Sequence, residues 1–519
     1  MSHPPPLPSP LPADGGDHRL HPWSWLFVLL MQLRHYLLPL IALVVFGQRG
    51  DRDPFWAHLT PLIVLVVLVG ISIAQYLSFR YRIGADAITV RSGLLSRNRR
   101  EIPFARIHNV EVQQNPLHRV FGVAEVRLES AGGTEPEAQM RVLRLDQALA
   151  LEQLVRQRAQ APTAAQDAAQ AVPPPLPGAH ADAGGQVLLR LPTAELVRLG
   201  LLSNRGWVLV AAAVGGLLQL LPRNQLDSVI ERGGREAFGY ATHLQGGLPT
   251  LLLVGVAVLL AGWLLLRVLS VALALLRYHG FTLGEQDRRL TVVSGMFSRT
   301  RSSVARRRIQ AWTLQETLLQ RLFGRRQLRI DSAAGGTGEH GQQRALRELA
   351  PLATPAACDA LVQHLLPQVQ WPPAQWQPVP QRGWWRLSLD ALLLVPLISA
   401  VLVWRWGPWG LLALAWLPLS LWVARQQIAR IGWHVDERLV AVRGGWWTRW
   451  WRWAELDKVQ GLRLQRTPLD KLLGTASLVL DTAGAQGDVP LQLRFLDLAQ
   501  ARRLMDQLGG ALARRKLRW

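Results

Sequence analysis

One stretch of 39 residues is written three times in this chain, and that repetition narrows the possible folds more than any other feature. Residues 93–131, 295–333 and 445–483 align without a gap. Gly93, Arg97, Arg106, Ile107, Gln113, Leu117, Phe121 and Gly122 of the first copy answer to Gly295, Arg299, Arg308, Ile309, Gln315, Leu319, Phe323 and Gly324 of the second. The third copy supplies Gly445, Arg449, Lys458, Val459, Gln465, Leu469, Leu473 and Gly474. Each copy closes on an alternating segment that ends Glu129-Ser130-Ala131, Asp331-Ser332-Ala333 or Asp481-Thr482-Ala483. Self-similarity of this extent means that one structural unit recurs along the chain.

Apolar runs separate the copies. Hydrophobic residues make up 49% of the 519. They gather at 23–46 (interrupted by Gln32, Arg34 and His35), 55–77, 206–221, 248–276, 384–404 and 409–424. A helix of about 20 apolar residues crosses the hydrocarbon core of a bilayer. The runs come in pairs, so the predicted unit is a transmembrane helical hairpin followed by one soluble domain, three times over. Arginine is costly in lipid. Residues from Trp23 to Arg34 are therefore predicted to form an amphipathic surface helix ahead of a short span, with one long helix as the alternative. Arg34, Arg267 and Asp390 each lie near enough to a span end to reach the interface.

Charge orients the chain. The formal net charge is +22, and 55 of the 58 basic residues are arginine. Turns inside the paired runs are near neutral, whereas residues 425–519 hold 17 Arg or Lys against 9 Asp or Glu. Basic segments stay on the cytoplasmic side, so six spans leave both termini and all three domains inside. Tryptophans such as Trp56, Trp384, Trp385, Trp404 and Trp409 sit at span ends, as interfacial anchors do. Cys358 is the single cysteine, which excludes an intrachain disulfide and a cysteine metal cluster. The N-terminus is Pro-rich and carries no basic segment of a cleavable signal peptide.

These features divide the chain into a disordered N-terminus (1–22), an amphipathic helix with hairpin 1 (23–78), domain 1 (79–160), a linker (161–190), hairpin 2 (191–276), domain 2 (277–367), a linker (368–383), hairpin 3 (384–425) and domain 3 (426–519). Within a domain the apolar period is two, as in Ile88-Val90, Leu290-Val292 and Leu328-Ile330, which marks half-buried strands. Gly93, Gly295 and Gly445 fall where hairpin turns need positive φ. Gly122, Gly324 and Gly474 fall where a short helix needs a C-cap. A half-closed antiparallel barrel, plugged at one end by a C-terminal helix, accommodates this order.

The paired spans, the strand that begins Arg106-Ile107-His108, Gln113, Asn115-Pro116-Leu117 and Phe121-Gly122 together resemble the bacterial pleckstrin-homology-type membrane-flanked domain family. Leu318 replaces the proline of the other copies, and Leu473 replaces the aromatic. The resemblance implies an α+β membrane protein in which each transmembrane hairpin is followed by a pleckstrin-homology-like barrel at the cytoplasmic face of a bacterial inner membrane.

Chemistry is harder to find. Gly336-Thr337-Gly338-Glu339-His340-Gly341 matches a dinucleotide fingerprint in letters, but it replaces a hairpin loop of the other copies. His108 and His118 become Gln310 and Gln320, then Gln460 and Asp470, so no histidine reaction serves every copy. Glu129, Asp331 and Asp481 read as turn-capping residues beside a hydroxyl. No catalytic, cofactor or metal site is expected. The recurring basic residues Arg97, Arg106, Arg299, Arg308, Arg449 and Lys458 are candidates to face anionic headgroups, each contributing about 1 kcal/mol when close to the surface. Gly93, Gln113, Gly122, Gly295, Gln315, Gly324, Gly445, Gln465 and Gly474 are candidate structural residues of the repeat. The expected role is a membrane-surface scaffold for envelope maintenance or stress resistance. Its expected partners are anionic lipid and an unidentified protein, not nucleic acid. A transporter or lipid-handling channel formed by six spans is the alternative.

Overall fold

The computed structural model describes residues 18, 20–30, 54–93, 98–104, 107–130, 138–167, 186–203, 206–207, 210–211, 215–216, 247–332, 347–482 and 489–514. Helix α1 (Pro54–Ser78) runs directly into β1 (Arg80–Ile83), β2 (Ala87–Ser92) and β3 (Asn98–Pro103). Then follow β4 (Ile107–Gln114), the short helix α2 (Pro116–Val120), β5 (Val123–Ser130), β6 (Ala138–Arg144) and α3 (Leu145–Asp167). The second copy comprises β7 (Gln186–Arg190), α4 (Thr193–Leu202), α5 (Gly247–Tyr278), β8 (Thr282–Gln286), β9 (Arg289–Ser294), β10 (Arg299–Ala305), β11 (Ile309–Glu316), α6 (Leu318–Leu322), β12 (Arg326–Ser332), β13 (Glu348–Ala353) and α7 (Pro355–Leu365). The third begins at β14 (Gln377–Pro378) and α8 (Trp384–Trp406), which turns at Gly407 through a 3-10 segment (Gly407–Ala415) into α9 (Trp416–Arg430). It continues as β15 (Gly432–Val435), β16 (Leu439–Gly444), β17 (Arg449–Glu455), β18 (Val459–Gln465), α10 (Pro468–Leu473), β19 (Thr475–Thr482), β20 (Gln492–Asp497) and α11 (Leu498–Ala513).

The short helix of each copy starts with the same reciprocal cap. Asn115 N–H donates to His118 Nδ1 at 3.2 Å, Thr317 N–H to Gln320 Oε1 at 2.9 Å, and Thr467 N–H to Asp470 Oδ2 at 2.9 Å. Three different side chains thus satisfy one orphan donor, as a capping box requires. That shared task explains why His118 needs no histidine counterpart in the other copies.

Strand pairing ignores the boundaries between copies. The described strands form sheets in the orders β1-β2-β3, β6-β5-β4-β10-β9-β8-β7, β13-β12-β11-β17-β16-β15-β14 and β18-β19-β20, all antiparallel. Each seven-stranded sheet joins the second half of one copy to the first half of the next. At residues 306–308 and 456–458 a single 3-10 turn passes the chain from one sheet to another. Within a copy the two halves face each other across a core, as Ile88 and Val90 face Val126, Leu128 and Leu151 in the first.

Alternation serves two cores at the second seam. Leu439 and Ala441 of β16 point into the core of the second copy, with Trp312 and Leu314. Val440 and Val442, one residue on, point into that of the third, with Leu478 and Leu493. A strand buried on both faces loses the polar alternation of a half-exposed one, and every residue of β11 but Gln315 is buried.

The barrel stands open within a copy: among the described residues no ladder joins β3 to β4, β10 to β11 or β17 to β18, and β10 and β17 pair with the preceding copy. Bare strand edges are avoided by covering them, and the tandem neighbour does so here. Two expectations change. The span from 161 to 190 is not wholly linker, since α3 continues to Asp167 and β7 adds a strand to β8. Six spans in three hairpins are met only in part. Among the described residues two helical segments, Leu252–Tyr278 and Gln381–Arg430, are long and apolar enough to cross a bilayer, with a shorter apolar helix at Val66–Ser78. The second folds back on itself, Ser399 Oγ donating to Gly410 O at 3.0 Å. The predicted disorder of 1–17, the short span ending at Phe46, most of the run 206–221, Arg34 and the glycine string at 336–341 lie outside the described residues.

Candidate functional site

Of the repeat residues, Gln113, Arg299, Gln315 and Arg449 lie on the two seams. At the first, Arg299, Thr300, Arg301 and Ser302 of β10 lie opposite Gln114, Gln113, Val112 and Glu111 of β4. Gln113 Nε2 donates to Ser298 Oγ at 2.9 Å, and that hydroxyl donates to Asn115 Oδ1 at 3.1 Å. Arg119 reaches the Met296 carbonyl at 3.1 Å, and Arg301 lies 3.4 Å from Glu152. This seam is polar.

The second seam keeps the register and changes the chemistry. Trp312, Thr313, Leu314, Gln315 and Glu316 of β11 oppose Trp453, Arg452, Trp451, Trp450 and Arg449 of β17. Trp453 stacks on Trp371 with ring centroids 3.8 Å apart and lies parallel to Trp312 at 6.3 Å. Arg452, only 1% exposed, donates to Thr313 Oγ1 at 2.9 Å and Asp331 Oδ2 at 2.5 Å. Asp331 is therefore not a turn cap. It is the buried counter-charge to an arginine of the next copy. The signal was an arginine inside Trp450-Trp451-Arg452-Trp453, an otherwise aromatic strand.

Gln465, on β18, accepts from its neighbour Arg463 in the amide orientation that satisfies both. Gly295 and Gly445 take φ of +114° and +79°, and a Cβ there would lie 2.0 Å from Ser298 O and 1.9 Å from Thr448 O. Gly93, with φ of +108°, matches them. Gly122, Gly324 and Gly474 follow the short helices at φ of +63°, +59° and +64°.

The candidate basic residues separate into two sets. Arg299 and Arg449 begin β10 and β17, beside the ends of α5 and α9. Arg308 and Lys458 lie at the 3-10 corners beyond the far ends of those strands. A seven-residue strand holds the sets about 20 Å apart, at ~3.3 Å per residue. Burial pulls the Arg308 guanidinium down to about 10, and Lys458 Nζ donates to Arg307 O at 2.6 Å. Burial, with Arg321 nearby, also lowers Arg449. Arg97 and Arg106 lie outside the described residues. Arg267 is engaged at the end of α4, donating to Leu201 O at 2.9 Å and Ser203 O at 3.0 Å. Among the described residues no group of three or more His, Cys, Asp or Glu could hold a metal ion.

The sheets are fixed to the apolar helices without slack. Ala274 and Tyr278 of α5 belong to the core of the second copy, and the Tyr278 hydroxyl bonds to Glu348 of β13. Upstream, residues 252–265 of the same helix are exposed throughout.

The profile of the family described as Bacterial PH domain matches residues 32–159, 241–359 and 389–512, one match over each copy and part of the apolar run before it. The chain is similar to the UPF0699 transmembrane protein YdbT of Bacillus subtilis, with 21% identity over 430 residues that cover 80% of this chain and 83% of that protein. No solved structure matches.

Proposed function

This transmembrane chain belongs to the bacterial PH domain family, and from that premise we propose that it is a scaffold working at the cytoplasmic surface of the inner membrane. Binding, not catalysis, is its task. The observation that carries the reading is the rigid passage from α5 into the second core, through Ala274, Tyr278 and Glu348. A domain fixed in this way stays at the bilayer surface whatever its own affinity for lipid. Arg299 and Arg449, at the helix end of their strands, then meet anionic headgroups, each contributing about 1 kcal/mol. The other faces of the array remain for a protein partner, in envelope maintenance or stress resistance.

The test is the lipid that stays with the full-length protein. Purified in mild detergent from membranes of mixed lipid, it should retain anionic phospholipid above its share in the membrane. Arg299→Glu with Arg449→Glu should reduce that enrichment, as should high salt. Retained lipid matching the bulk membrane composition would refute headgroup attraction.

A further inference from the structure

The loops that join β9 to β10 and β16 to β17 each turn at a positive-φ glycine and then present two large apolar residues, Met296-Phe297 after Gly295 and Trp446-Trp447 after Gly445. These side chains are not turned inward: Phe297 is 55% and Trp447 51% exposed. The neighbouring helix sets their direction. Gly295 N–H donates to His279 O and Met296 N–H to Leu276 O, both at 2.9 Å. As the loop advances it therefore moves back along α5, toward the exposed apolar stretch 252–265. In the third copy Trp446 stands edge-on to Trp422, 4.8 Å away and about two turns back from the end of α9, at 3.6 residues per turn.

The short helix of the preceding copy sits beside this loop, as the bond from Arg119 to the Met296 carbonyl shows. One position of that helix is bare in every copy: Val120, Leu322 and Leu472 are 80%, 79% and 83% exposed. Apolar exposure that recurs at one register position marks a surface with an occupant. The apolar helices continue directly from it, so the occupant is the bilayer they cross.

We propose that the loop tips Phe297 and Trp447, with the short-helix residues Val120, Leu322 and Leu472, insert into the boundary between headgroups and acyl chains, keying the whole array into one leaflet. Aromatic side chains favour that boundary, and Arg299 and Arg449 follow the tips at headgroup height. The inference rests on the membrane-surface reading above and adds penetration to attraction.

Spin labels on the full-length protein in phosphatidylcholine–phosphatidylglycerol vesicles test it. Phe297→Cys and Trp447→Cys carry the label. Cys358 is buried and its thiol is pushed up to about 12, chiefly by that burial, so it stays unlabelled. Leu259→Cys on α5 serves as the lipid reference, and Val187→Cys, at the far end of β7, as the water reference. Labels at 297 and 447 should lose access to a water-soluble nickel complex and gain access to oxygen, as at 259. Nickel access equal to that at 187 would overturn the insertion while leaving the anchor intact. Nickel access at 259 as well would overturn both the anchor and the insertion.

Discussion

Arg452 of β17 donates to Asp331 of β12 at 2.5 Å, and the two residues belong to different copies of the repeat. Both are nearly sealed from solvent, with side chains 2% and 8% exposed. Removing one member of a buried pair strands the other charge, which costs about 3–5 kcal/mol. Arg452→Met should therefore destabilise the full chain by about 3–5 kcal/mol in equilibrium unfolding in micelles. Arg452→Met combined with Asp331→Leu should recover most of that loss, because no unpaired charge remains. A double variant as unstable as the single one would show that the pair matters for its shape and not its charge.

The two seams should fail at different costs. Trp453 is fully buried between Trp371 and Trp312, so Trp453→Ala is expected to cost about 3–5 kcal/mol. Gln113→Ala at the polar seam removes hydrogen bonds to Ser298 and Asn115 and is expected to cost about 1 kcal/mol. Limited proteolysis checks the order: Trp453→Ala should expose the third copy well before Gln113→Ala exposes the first.

The unit of the fold was legible in the sequence, and its connectivity was not. Gly295 and Gly324 marked turn and cap because each does a local job. Alternation in β9 announced a strand. Nothing in that alternation says which edge a strand will pair, so the fusion of β10 to β4 and of β17 to β11 was invisible. The same blindness assigned Asp331 to a turn, since its partner lies 121 residues away. Arg308 and Lys458 recur beside Arg299 and Arg449 in sequence, yet the strand between them sends the two sets to opposite ends.

Cys358 is expected to report unfolding. It is fully buried, and burial, with a smaller effect of Asp359, pushes its thiol up to about 12. Only the thiolate attacks a maleimide, so the folded chain should stay unmodified at mildly alkaline pH and react promptly in denaturant. Modification of the native chain would place the cysteine outside the second core.

Glycines of the repeat should divide by their surroundings. Gly324 has φ of +59° and nothing within 4 Å of an added Cβ, so Gly324→Ala is expected to cost about 1 kcal/mol of backbone strain. Gly445 has φ of +79° and the Thr448 carbonyl oxygen 1.9 Å from that Cβ. Gly445→Ala must also distort the loop and should cost at least about 2 kcal/mol. Thermal unfolding of the two variants side by side measures the gap, and equal losses would mean the loop yields freely.

Acid should loosen the first copy ahead of the others through His118. Its ring is 3% exposed, lies 4.4 Å from Phe27, and accepts the Asn115 N–H through Nδ1. That acceptor must be unprotonated, and burial lowers its pKa from the ordinary 6.5 against an opposing pull from Glu125. Below 6.5 the unfolded chain takes up the proton while the folded chain resists it, so stability falls as pH drops and its full contribution returns above 6.5. His118→Gln installs the residue of the second copy, where Gln320 makes the same bond with no proton to gain. Hydrogen exchange at α2 should accelerate between about pH 7 and about pH 5 in the parent beyond the intrinsic trend, and the His118→Gln variant should lose that excess. An excess that survives the substitution would assign the acid response to another group.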